Sequence, residues 1–126
     1  MATEGDLPFV YSSWYKAHRP FQKHVANEEY ADGHNARMRR LVSDSNVLVA
    51  YSADVPDEIL GYAVIEGDAC HFVYTKAVYR RMGIASGLVQ GHCRYYTHWM
   101  GEQGRSFAEA VGLTYNPYRL DRERTE

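Results

Sequence analysis

Cysteine is scarce in this chain: Cys70 and Cys93 are its only two in 126 residues. Their separation fits no metal-ligand pair, and two thiols build no disulfide framework, so they read as buried thiols of a reducing, cytoplasmic compartment. No apolar run approaches membrane-spanning length, and Met1 to Asp6 holds no basic segment followed by an apolar one, which argues against membrane insertion and secretion. Neither sign of charge dominates. Fourteen Lys and Arg against sixteen Asp and Glu give a formal net charge of −2, which argues against broad electrostatic binding of nucleic acid. The histidines His18, His24, His34, His92 and His98 show no ligand spacing backed by carboxylates or thiols, and no Ser-His-Asp signature occurs, so neither a metal centre nor a serine nucleophile is expected. Repeats, low-complexity tracts and linkers are missing as well. One domain spanning residues 1–126 is the reading.

What is there is the balance of a globular protein, 45% hydrophobic and 24% charged, with eleven tyrosines suited to half-buried surfaces and pocket walls. Asp6 followed by Pro8 marks a helix start, and Val10, Trp14, Ala17 and Phe21 recur at helical spacing, predicting a helix near 7–18. Tyr30, His34, Met38, Leu41 and Val42 share one face of a second helix over about 27–42. Val47 to Tyr51 and Ile59 to Ile65 are short, β-prone runs. The Glu66-Gly67-Asp68 turn then joins the second of them to Ala69 to Thr75 as a hairpin. A long helix is expected from about Met82 to Met100 and a last strand from Ser106 to Leu113. The order is α+β: helices packed on one sheet.

Between the third strand and that long helix lies Tyr74-Thr75-Lys76-Ala77-Val78-Tyr79-Arg80-Arg81-Met82-Gly83-Ile84-Ala85. An apolar strand runs into a glycine-bearing turn that opens a helix, and a helix start offers free N–H groups to an anion. Lys76, Arg80 and Arg81 add positive charge at the same place. Arg80, Gly83 and Ala85 fit Arg/Gln-x-x-Gly-x-Gly/Ala, which resembles the acyl-CoA-binding signature of the GCN5-related N-acetyltransferase (GNAT) superfamily. The wording of Val73 to Lys76, Arg80 to Ala85 and Thr97-His98-Trp99 is similar to small GNAT-like proteins carried by bacteriophages. The resemblance runs from about Val47 to Pro117. It implies a mixed sheet of four to five strands flanked by three helices, with two central strands splayed around the pantetheine arm of acetyl-CoA.

Carried over, the splayed strands are 69–75 and 106–113. Val73 and Thr75 would bond the pantetheine, amides of Arg81, Met82, Gly83, Ile84 and Ala85 would hold the pyrophosphate, and Arg80 and Asn116 complete the coenzyme set. The resemblance implies direct transfer of an acetyl group to an amine, either a small molecule or a protein lysine. Its usual base position falls on Ala69. His71, two residues on, is the base candidate, since an imidazole with its unperturbed pKa near ~6.5 suits the role; a satisfied sheet histidine is the alternative. Glu66 and Asp68 in the turn are further candidates. Tyr118, after Asn116-Pro117, is the candidate acid, with Tyr115 as its rival. At its two ends the sequence departs from the family: Met1 to Asp6 supplies no first strand, and nine residues after Pro117 cannot supply both the final helix and the closing strand pair. A binding or structural protein without catalysis, such as a component of a virus particle, is therefore the competing expectation. A sheet lacking closing strands would expose Phe107, Val111 and Leu113, so a homodimer is expected too.

Overall fold

The computed structural model describes residues 2–18, 26–55, 57–80, 82–98 and 101–118. Two helices, α1 (Leu7–His18) and α2 (Asn27–Asp44), precede the strands β1 (Asn46–Tyr51), β2 (Ile59–Glu66) and β3 (Ala69–Thr75). Then come α3 (Ile84–Val89), β4 (Tyr95–Tyr96), α4 (Gly101–Val111) and β5 (Thr114–Tyr115). The strands lie in chain order in one open sheet, β1 to β3 antiparallel, β4 and β5 parallel to β3. The fold is α+β with a mixed five-stranded sheet, and the described residues form four α-helices rather than three. None of those helices is long and apolar enough to cross a membrane.

Apolar periodicity explains where the sheet sits. Along β2 the side chains alternate between two cores: Tyr62 and Val64 join Val10, Trp14, Met38 and Leu41 of the first helix pair, while Ala63 and Ile65 join Val89, Ala108 and Leu113 on the other face. Both faces being buried, β2 has little polar character to spare. Gly61 is the exception that packing demands. A Cβ there would stand 2.5 Å from the Tyr74 carbonyl oxygen and 3.3 Å from Ile84 Cγ2, so only glycine lets β3 and α3 close over this point of β2.

Two expectations fail in the second half of the chain. The helix expected over 82–100 ends at Val89: the chain turns at Gly91 and re-enters the sheet as β4, where Tyr95 and Tyr96 pair with Ala69 and Cys70. Cys93 therefore lies outside any helix. The segment expected as a strand over 106–113 is helical instead. Phe107, Ala108 and Val111 recur at helical spacing against the Val89 core, while Glu109 falls on the exposed face. Gly112 ends this helix at a φ of 83°. The Gly112 amide donates to the Glu109 carbonyl at 3.3 Å and the Leu113 amide to the Ala108 carbonyl at 2.8 Å, a pattern that closes a helix with an apolar contact between Leu113 and Ala108. Phe107 and Val111 are half-buried and Leu113 is buried, so the exposed apolar edge on which self-association was expected is packed inward. Phe21, expected on the face of the first helix, and Trp99, within the helix expected over 82–100, lie outside the described residues.

Candidate functional site

Everything at the site follows from a bulge in β3. Ile65 pairs with Cys70 and Val64 with Phe72, so Cys70 and His71 together oppose one residue of β2. The extra residue reverses the alternation: Cys70 points into the Val89 core, yet Phe72, two residues on, points into the Trp14 core. It also turns the backbone. The Lys76 amide bonds the Leu60 carbonyl at 3.0 Å, which by antiparallel alternation aims the groups of Phe72 and Tyr74 at β2 and those of Val73 and Thr75 at the opposite edge. Before the bulge that edge is occupied by β4, through Tyr95 N–H to Asp68 C=O at 3.2 Å and Thr97 N–H to Cys70 C=O at 3.1 Å. Beyond Cys70 no described strand pairs with it. The segment 106–113 belongs to α4 and its closing turn and gives β3 no strand neighbour; the open edge arises because β4 ends at Tyr96 while β3 runs on to Thr75.

At the far end of this open edge, the Arg80 Nε donates to the Thr75 carbonyl at 3.3 Å, and Thr75 Oγ1 is buried with no hydrogen-bond partner among the described residues. Met82 is 67% exposed, and Arg81 lies outside the described residues. Gly83 stands before α3 at a φ of 78°, with open space where a Cβ would point. Its carbonyl accepts the first helical bond from Gly87 at 2.9 Å, so the amides of Ile84, Ala85 and Ser86 precede that bond. A six-residue helix adds little dipole, and the backbone N–H groups themselves are the resource. Lys76 is turned away from this place, its ammonium 5.2 Å over the Phe9 ring.

At the near end the bulge buries His71, 3% exposed. Its Nε2 lies 2.9 Å from Glu66 Oε1 and its Nδ1 2.6 Å from Thr97 Oγ1; that oxygen is in turn 2.8 Å from His98 Nδ1. The His98 ring meets His71 at 5.7 Å and Trp14 at 6.2 Å, and Trp14 stacks on Phe72 at 5.2 Å. A buried imidazole needs partners for both nitrogens, and His71 has them. Glu66 was among the sequence candidates. Thr97 and His98 were not, because the helix expected there hid the strand that carries them to His71.

The remaining candidates lie on the β5 side. The Asn116 amide bonds the Tyr96 carbonyl at 2.9 Å, and its side-chain oxygen accepts the Tyr118 amide at 3.1 Å, capping a turn. Tyr118 is 72% exposed there, and the Tyr115 ring rests 5.1 Å from that of Tyr96. On the opposite face of β3, Cys93 packs against the core that Cys70 enters. The Cys93 thiol and burial push the Cys70 thiol up, and the Cys70 thiol brings Cys93 down. Among the described residues no three His, Cys, Asp or Glu side chains are placed to hold a metal ion. No family model, curated protein or solved structure matches this chain.

Proposed function

We propose that this chain is a small acetyl-CoA-dependent N-acetyltransferase of GNAT type, acting on a primary amine. The observation that carries the reading is that β3 runs on past the end of β4 after Cys70, which leaves a strand edge ending at Arg80 and the Gly83 turn. Pantetheine is a chain of amides, and the outward-facing groups of Val73 and Thr75 suit it as a strand edge suits an extended peptide. The amides around Gly83, Ile84 and Ala85, with the open space before Gly83, suit a pyrophosphate. In the reaction the amine nitrogen attacks the thioester carbon, the new C–N bond replaces the C–S bond, one proton leaves nitrogen and another goes to the thiolate. The His71 cluster, at the near end of the gap, is the proton acceptor, and Tyr118 would supply the thiolate's proton. The acceptor is a small-molecule amine or a protein lysine. A cytoplasmic setting, that of a host if the chain is phage-borne, agrees with two free thiols.

A second reading, a non-catalytic binding or structural role, is favoured by the exposure of Tyr118, whose hydroxyl is not held in a pocket as an acid should be. Calorimetric titration of the whole chain with acetyl-CoA tests the site. Saturable binding at one site per chain is expected, and no binding overturns the proposal. Mass spectrometry of a panel of amines, peptides and nucleic acids incubated with protein and acetyl-CoA then decides between the readings: binding without any acetylated product favours the second.

A further inference from the structure

α2 turns a charged face to solvent. Tyr30, Met38 and Leu41 are buried on its inner side, whereas Glu28, Glu29 and Asp32 in its first half and Arg37, Arg39 and Arg40 in its second are exposed. Among the described residues none of these six charges has an ion pair. The helix cannot pair them along its own length, because the positions three and four beyond Glu28, Glu29 and Asp32 hold no arginine. The helix dipole accounts for Glu28 and Glu29 in the first turn, but it fades within a turn of each end, and the last turn holds no basic residue. Gly33 is equally unaccounted for. A Cβ there would meet nothing within 4 Å, so packing within the chain does not require glycine in the middle of this helix, where it is unfavourable.

Glu29, Gly33, Ala36 and Arg40, spaced four, three and four residues, form one exposed stripe on the outer side. The spacing is the same read from either end, while the charge is reversed. We infer that α2 is the interface of a homodimer, in which a second copy of this chain lays its own α2 antiparallel on this stripe about a two-fold axis. Glu29 then meets Arg40 of the second copy, and Arg40 meets its Glu29, as an isologous contact requires. At 1.5 Å of rise per residue both lie about 8 Å from the midpoint of the stripe, so the two pairs form in register. At the midpoint Gly33 faces Ala36, and two small residues let the helix backbones approach closely. Asp32 lies beside the stripe within an arginine's reach of Arg39 of the second copy. A parallel pairing would set like charges together, so the charge order selects the antiparallel one. One helix on one helix is small beside the about 800 Å² per partner of a stable dimer, so this dimer is transient, held largely by charge and weakened by salt. It does not rest on the acetyl-transfer reading.

Sedimentation velocity of the full chain over a range of concentrations tests it. In low salt the parent should pass from monomer to dimer by high micromolar concentration, and the dimer should dissociate as salt is added. Glu29→Arg and Arg40→Glu should each weaken association by about tenfold or more, because one reversal makes two repulsive contacts in a symmetric pair. Both positions are exposed, and circular dichroism checks that each variant keeps its helices. Mixing the two variants should restore a dimer, since each supplies the charge that the other lacks, and the double variant should associate as the parent does. A parent that stays monomeric in low salt, or forms a dimer indifferent to salt, overturns the inference whatever the variants do. Single variants that associate like the parent, or a mixture of folded variants that stays monomeric, overturn it as well. Binding of a DNA duplex by a monomeric parent, lost in Arg40→Glu, gives this face to nucleic acid instead.

Discussion

Replacing Gly83 and Gly112 by alanine, one at a time, separates backbone strain from ligand contact. The two glycines have nearly the same conformation, φ of 78° and 83°, and neither has an atom within 4 Å of where a Cβ would stand. Without steric collision, the cost of each substitution is that of holding an L-residue in the left-handed region, about 1–2 kcal/mol. For a chain of this length that lowers Tm by about 3–10 °C, and the two variants should fall together in thermal unfolding. Their coenzyme binding should differ. Gly83 borders the proposed phosphate cradle, and a methyl group in its open space keeps the phosphates from the amides of Ile84 and Ala85; Gly112 closes α4 and borders none of it. In calorimetry Gly83→Ala should bind acetyl-CoA at least about tenfold more weakly, a loss of about 1.4 kcal/mol, and Gly112→Ala within about twofold of the parent. Gly83→Glu adds charge repulsion and should abolish binding. A Gly83→Ala protein that binds like the parent, or a Gly112→Ala protein equally weakened, refutes the cradle; a Gly83→Ala protein with unchanged Tm refutes the strain argument.

Gly61→Ala drives a Cβ against the Tyr74 carbonyl, a backbone atom with little room to yield, so urea unfolding should show a loss of about 2–3 kcal/mol, whereas a loss under about 0.5 kcal/mol would refute the packing of β3 and α3 over this residue. Cys93 should be alkylated before Cys70 and at a lower pH than an ordinary thiol, since the Cys70 thiol favours its thiolate; Cys70→Ala should move the Cys93 reaction to higher pH, and equal rates at both sites by peptide mapping would disprove that influence.

Local pattern settled the first half of this fold. The recurrence of Val10 and Trp14, and of Tyr30, Met38 and Leu41, is enough to define α1 and α2, because an amphipathic face is written in residues three and four apart. The hairpin of β2 and β3 was equally legible, its turn residues lying between two β-prone runs. Gly83 announced a turn, and the turn is there. Segment 82–115 was misread because its elements are short and its glycines ambiguous. Gly112 looks like an interruption of a strand and is a helix stop, a difference decided by the Leu113 and Ala108 contact in the second core. Residues 95–96 are a strand only because β3 offers them an edge, since two residues carry no periodicity of their own. The site depends on the same non-local facts. One extra residue in β3 swings His71 toward Glu66, turns Val73 and Thr75 outward, and ends the pairing with β4 where Thr97 and His98 stand. His71 as a candidate could be read from the chain; its partners could not, because 26 positions separate it from Thr97 and only strand pairing closes that distance.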